Sequence, residues 1–347
     1  MFFFFLFALS CRPQAPVPSV HCDDAQTARL STEDGAEIVL HRHPAAGPPV
    51  VVVHGIASNH RSWDLTSDRS LAEVLQEAGF DAWLLNLRGH GEALLTADGD
   101  RQRHGWALDD YGAHDLRAAI DHIRAKTAAK KVAVVGHSMG GMVAAVYNGH
   151  HGDDAISALV VVGSPIQFVE RDLVFTVGSA MMRVGVAWRS LGMHTGAEIL
   201  SQIPGEIPVH GEGILFNPKN MSPAARTQML QAIASPVSRE EMQQFNQTFK
   251  QGRFTSVDGS LDYVELLSNL DVPLLVIAGA ADRIVPPSRV TPWMDAVSSE
   301  DTTYIEAGTK YGFSANYGHL DLTIGDAAQS EIHAPIANWL QQRIASD

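Results

Sequence analysis

The residues best suited to covalent chemistry lie in the stretch VVGHSMGGM, where Ser138 stands between Gly136 and Gly140. A serine at a Gly-x-Ser-x-Gly turn between a strand and a helix is held in strained backbone angles. The flanking glycines have no Cβ, so strand and helix can approach closely. Such a turn lifts the Ser138 hydroxyl out of the sheet edge. It also aims the Met139 N–H, at a helix N-terminus, toward whatever Ser138 attacks. A serine hydroxyl is a weak nucleophile at neutral pH and needs a base, which in turn needs an orienting acid.

Asp282, in VIAGAADRIVPP, and His319, in NYGHLDLTIG, supply that pair in the order serine, acid, histidine. Taken singly, Asp282 reads as a solvated turn carboxylate beside Arg283, His319 as one of 16 histidines, and Ser138 as a helix cap. All three in this order are much harder to read as coincidence. In VVVHGIASN, the turn His54-Gly55-Ile56 follows an apolar strand and offers the Ile56 N–H as a second oxyanion donor beside Met139. Asp321, two residues after His319, is the alternative orienting acid, but it reads better as a solvated or locally hydrogen-bonded loop residue. His137, beside the nucleophile, reads as structural or as a rim residue. NGHHGDD, from Asn148 to Asp154, carries metal-capable side chains but reads as a solvated helix end, so no metal site is expected.

Such side chains need a rigid frame. EIVLHRH, PPVVVVHG, FDAWLLN, KKVAVVG, ISALVVVG, VPLLVIAGA and TTYIEAG read as strands, several of them apolar throughout, as strands buried on both faces should be. Between them run RSLAEVLQEAG, DDYGAHDLRAAIDHIRAKT, SMGGMVAAVYNGHH and, last, SEIHAPIANWLQQRI, all with helical patterning. This alternation predicts an α/β fold, a mostly parallel sheet with helices on both faces. The rhythm breaks over residues 165–256, which hold helical, Met-rich pieces and no convincing strand. That stretch is expected to be a helical cap. Residues 25–164 and 257–347 form the expected core. Phe175, Met181, Met182, Val184, Val186 and Trp188 of the cap are candidates for an acyl pocket, against the plainer reading that they form the cap's own core.

The balance of 25 basic against 39 acidic residues, net −14, gives little general attraction for phosphate backbones, so no nucleic-acid partner is expected. Residues 1–24 are a separate segment. MFFFFLFALSC is too short to span a bilayer and lacks a basic start. It reads either as an export segment, with membrane anchoring through a lipidated Cys11, or as an apolar tail. The protein is accordingly expected in a bacterial envelope or, alternatively, in the cytoplasm. RPQAPVPS reads as an extended linker. The only cysteines, Cys11 and Cys22, precede the core and cannot build a disulfide framework for it.

Together, His54-Gly55-Ile56, LNLRGHG, Gly136-His137-Ser138-Met139-Gly140 and the loops of Asp282 and His319 resemble an α/β hydrolase. DAWLLNLRGHG, LDDYGAHDLRAAIDHI and YGHLDLTIG are similar to the lipase and esterase branches. The resemblance implies an eight-stranded sheet, with Ser138 as nucleophile, Asp282 as acid and His319 as base. Dehalogenase-like and epoxide-hydrolase-like members carry Asp at the nucleophile position, and polyester-synthase-like members Cys; here it is Ser138. The implied function is cofactor-free cleavage of a small-molecule or lipid ester. The alternatives are another acyl transfer by the same residues (thioester or amide hydrolysis, acyltransfer, perhydrolysis) and a catalytically silent binding protein.

Overall fold

The computed structural model describes residues 26–102, 105–168 and 212–344. Cys11, Cys22, Phe175, Met181, Met182, Val184, Val186 and Trp188 lie outside the described residues.

Eight strands form one sheet: β1 (Gln26–Ser31), β2 (Glu37–His43), β3 (Pro49–Val53), β4 (Asp81–Asn86), β5 (Val132–His137), β6 (Ile156–Val162), β7 (Leu274–Gly279) and β8 (Thr302–Ala307). Their order is β1-β2-β4-β3-β5-β6-β7-β8. β1, β2 and β4 pair antiparallel, and every pairing from β4 to β8 is parallel. This is the mostly parallel α/β sheet expected from the alternating pattern. β3, β4, β5 and β7 are buried at every residue.

Side-chain alternation divides the core in two. Val51, Val53, Val134, Val161 and Val276 face one side, with Ile120 and Val143 packed on them. Val50, Val52, Val135, Val160 and Ile277 face the other, with Leu75 and Leu340. The helices that cover the first face are α2 (Arg117–Thr127), entered through a π-helical turn at Tyr111–Leu116, and α3 (Met139–His151). Those on the second are α1 (Leu71–Glu77) and α6 (Ala334–Gln341). At about 25 cal/mol per Å² of apolar surface, burial on both faces makes the middle of the sheet the rigid part of the molecule.

β1 has no counterpart among the strands read from sequence. QTARLS puts only Ala28 and Leu30 inward, half-buried, and the edge strand gains its place by pairing with β2 rather than by its own hydrophobic signal. Within the stretch expected to be a cap, the described residues carry two longer helices, α4 (Pro223–Ala232) and α5 (Arg239–Gln251). Ser222 and Ser238 cap them through backbone N–H groups three residues on. Among the described residues, no helix is long and apolar enough to cross a membrane.

Candidate active site

The carboxyl ends of β5, β7 and β8 lead to three loops that meet. Ser138 sits at φ 54°, ψ −118°, directly between β5 and α3. A non-glycine residue with positive φ is strained, and the strain is held by the packing around it. A Cβ on Gly136 would lie 2.5 Å from the Gly140 carbonyl carbon, and one on Gly140 would lie 2.4 Å from the Val53 oxygen. Only glycine allows α3 to start so close to β5 and β3. The Ser138 N–H is fixed by the Val162 carbonyl at 2.9 Å.

His319 comes from the loop after β8. Its Nε2 is 2.9 Å from Ser138 Oγ, and its Nδ1 is 2.7 Å from Asp282 Oδ2. Asp282 follows β7. Its other oxygen, Oδ1, accepts the backbone N–H groups of Ile284 at 2.9 Å and Val285 at 2.8 Å. An acceptor-only carboxylate requires the imidazole proton on Nδ1, which leaves the Nε2 lone pair facing the serine hydroxyl. All three side chains are buried, at 6%, 4% and 4% exposure for Ser138, Asp282 and His319, so the chain of bonds runs in a low-dielectric surround.

The turn after β3 lies against Ser138. A Cβ on Gly55 would be 3.2 Å from both Ser138 Cβ and His137 Nδ1. His54 fixes this turn from beneath. Its Nδ1–H donates to the Gly55 carbonyl at 2.8 Å, and its Nε2 accepts the Leu87 N–H at 3.3 Å. Burial holds the His54 ring well below the usual histidine pKa, which keeps it neutral and able to do both. Ala57, next after Ile56, takes φ 55°, and its carbonyl accepts the Ser235 N–H at 2.9 Å. Met139 is the first residue of α3.

Asp321 does not compete for the imidazole. It is fully buried rather than solvated, and its oxygens accept from Gly318 N, Asn217 N and Asn220 Nδ2. Gly318 is the local partner its sequence reading allowed, whereas Asn217 and Asn220 come from about a hundred positions away, beyond the reach of local sequence reading. Burial raises its pKa, against the pull of those N–H donors. His137, read as structural or rim, is buried and donates Nε2–H to the His319 carbonyl at 3.2 Å. Burial and the neighbouring His319 ring keep it neutral.

The family model for the alpha/beta hydrolase fold matches residues 48–191. The poly(3-hydroxyalkanoate) polymerase subunit PhaC of Haloarcula marismortui is 24% identical over 85% of this chain. The chain spans 61% of that subunit's length. Triacylglycerol lipase 1 of Arabidopsis thaliana is 22% identical, over 91% of this chain and 87% of the lipase. A thermophilic esterase from Thermogutta terrifontis superposes with a TM-score of 0.61 at 20% identity, covering 92% of this chain and 100% of the esterase.

The chain has the α/β-hydrolase fold.

Among the described residues, two further clusters carry metal-capable atoms within 4.8 Å of one another: His41, His60 and Glu92, and Asp34, Asp110 and His114. In the first, the two imidazoles stack with centroids 3.9 Å apart and planes 20° apart, and His41 Nε2 and His60 Nδ1 face the same Glu92 oxygen at 3.2 and 3.6 Å. In the second, both Asp34 oxygens are taken by the Arg88 guanidinium. Arg88 also donates from Nε to Asp115 at 2.7 Å, which anchors the LNLRGHG loop to the turn that leads into α2.

Proposed function

We propose that the chain is a serine ester hydrolase acting on small-molecule or lipid-like carboxylic esters. The single observation that carries this reading is the hydrogen-bonded series Ser138 Oγ, His319, Asp282, closed at both ends at 2.9 and 2.7 Å. In this reading, Ser138 attacks the acyl carbonyl while His319 Nε2 takes its proton. Asp282 holds the tautomer and stabilises the imidazolium. The tetrahedral oxyanion rests on the Ile56 and Met139 amides, each worth roughly 3 kcal/mol of transition-state stabilisation. The alcohol leaves with the proton from His319. Water activated by the same ring then releases the acid. Every step uses groups of the chain itself, with no cofactor or metal.

The helices after residue 212 are proposed as part of a cap over this centre. Among the described residues, Ser235 touches the oxyanion turn, through Ala57 O and the Asn59 side chain. Similarity to a poly(3-hydroxyalkanoate) polymerase subunit favours a second reading, in which the acyl group passes to an alcohol or thiol acceptor instead of water.

The test is a panel of p-nitrophenyl esters of rising chain length, with acceptor alcohols added in parallel. Acid release that saturates with ester and is blocked by a fluorophosphonate supports hydrolysis. Product ester formed faster than free acid transfers the assignment to acyl exchange. An intact protein that neither turns over nor reacts with the fluorophosphonate is a binding protein.

A further inference from the structure

We propose that Asp321 is a positioning residue that welds the His319 loop to residues 215–220, so that placement of the catalytic base depends on that segment. This rests on the serine-hydrolase reading, and it gives a task to a carboxylate that the triad leaves unused.

The observations concern four consecutive residues. The Tyr317 N–H is held by Ala307 O at 3.0 Å, and Tyr317 O accepts the Ala281 N–H at 2.8 Å. The Gly318 N–H goes to Asp321 Oδ2 at 2.9 Å. The His319 carbonyl accepts from His137, and the Leu320 N–H donates to Leu215 O at 2.9 Å. The catalytic histidine is therefore fixed on its strand side by the sheet and on its far side by residues 215–220.

Asp321 is the hub of that second attachment. Its Oδ2 takes Asn220 Nδ2 at 2.7 Å as well as Gly318, and its Oδ1 takes the Asn217 N–H at 3.2 Å. The two asparagines converge again on the Asn316 carbonyl, Asn217 at 2.7 Å and Asn220 at 3.0 Å. The Asp326 N–H returns to Asn220 O at 2.7 Å. A Cβ on Gly318 would stand 2.7 Å from Asn217 N, so the two backbones meet with no room between them. Phe216, Met221 and Ile324 belong to one buried apolar cluster beside these contacts.

A buried carboxylate that accepts three N–H groups cannot be replaced by an amide without setting an NH2 against at least one of them. The His319 loop then shifts. A displacement of about 1 Å costs on the order of 100-fold in rate.

The experiment compares wild type with Asp321→Asn, Asn220→Ala and Gly318→Ala. It reads kcat, KM, the fluorophosphonate labelling rate of Ser138, and the thermal melt. Asp321→Asn is expected to lose roughly 10- to 100-fold in kcat and in labelling rate, with KM within about threefold, at a temperature where the melt shows it folded. Asn220→Ala and Gly318→Ala lose kcat in the same manner to smaller extents, and they carry the test if Asp321→Asn does not fold. A residue that merely stabilises lowers the melt and leaves kcat per folded molecule at the wild-type value. That result, in Asp321→Asn or in both milder variants, overturns the proposal. A wild-type protein that never labels overturns the hydrolase reading and this one with it. Normal labelling of both wild type and Asp321→Asn sinks this one alone.

Discussion

At the scale of single residues, the site is an arrangement of proton positions. Asp282 uses both oxygens, one on the backbone of Ile284 and Val285 and one on His319. Asp282→Asn can still offer Oδ1 to the two backbone donors, so the loop survives. The amide, however, donates where the imidazole also donates, and the ring is driven to the wrong tautomer. The expected outcome is a loss of about 10⁴ in kcat with an unchanged melt, measured by steady-state kinetics and calorimetry. Retention of more than a tenth of the rate would move the acid's role to another group. Much of this scale was legible beforehand. Ser138 and Asp282 each sit just past the end of an apolar strand, where the chain must turn over the sheet edge, and His319 lies in the loop after the last strand. The parts that were not legible are contacts between loops. Asn217 and Asn220 sit in the stretch expected to be a helical cap, and nothing local reveals that they meet Asp321 across a hundred residues.

At the scale of elements, the posture of Ser138 is enforced by how closely α3 starts beside β3 and β5. Gly140→Ala gains up to about 1 kcal/mol of helix propensity. The same methyl meets Val53 O at 2.4 Å and His54 O at 2.9 Å, both backbone atoms that yield only if β3 moves. The steric term wins, and a net loss of about 1–3 kcal/mol in denaturant stability is expected. Turnover should fall as well, because His54 and Gly55 belong to the turn proposed to hold the oxyanion. An unchanged unfolding midpoint would contradict the close approach. The seven strands read from sequence agree with β2 to β8, and in β3 to β7 burial on both faces leaves long apolar runs. β1 escaped because an edge strand with two half-buried side chains leaves hardly any.

At the scale of the whole molecule, the region after residue 212 is tied to the core by buried polar groups. Tyr111, in the turn before α2, donates to Glu241 of α5 at 2.9 Å, and Ser238 N–H reaches the same oxygen at 3.2 Å. Burial pushes the Glu241 carboxyl up to about 7, and these two hydrogen bonds pull the other way. Because the folded value lies above the unfolded one of 4.5, the folded state binds the proton more tightly. This contribution is present in full below about pH 4.5 and is lost as pH rises toward 7. Glu241→Gln should remove that slope and stabilise the protein at pH 8 by up to a few kcal/mol, at about 1.4 kcal/mol per pKa unit. Parallel pH–stability curves for wild type and variant would refute it. At this scale the mostly parallel sheet and its flanking helices were readable from the alternation of strand and helix alone, while the tie between Tyr111 and Glu241 exists only once the chain is folded. The central claim is that the 2.9 Å contact between His319 and Ser138 makes this one hydroxyl a nucleophile. The most direct measurement is peptide mapping after fluorophosphonate treatment of wild type, His319→Ala and Ser138→Ala. The account predicts a stoichiometric adduct on Ser138 in wild type, labelling slowed by orders of magnitude in His319→Ala, and none in Ser138→Ala. An adduct on a different serine, or equal labelling in wild type and His319→Ala, would contradict it.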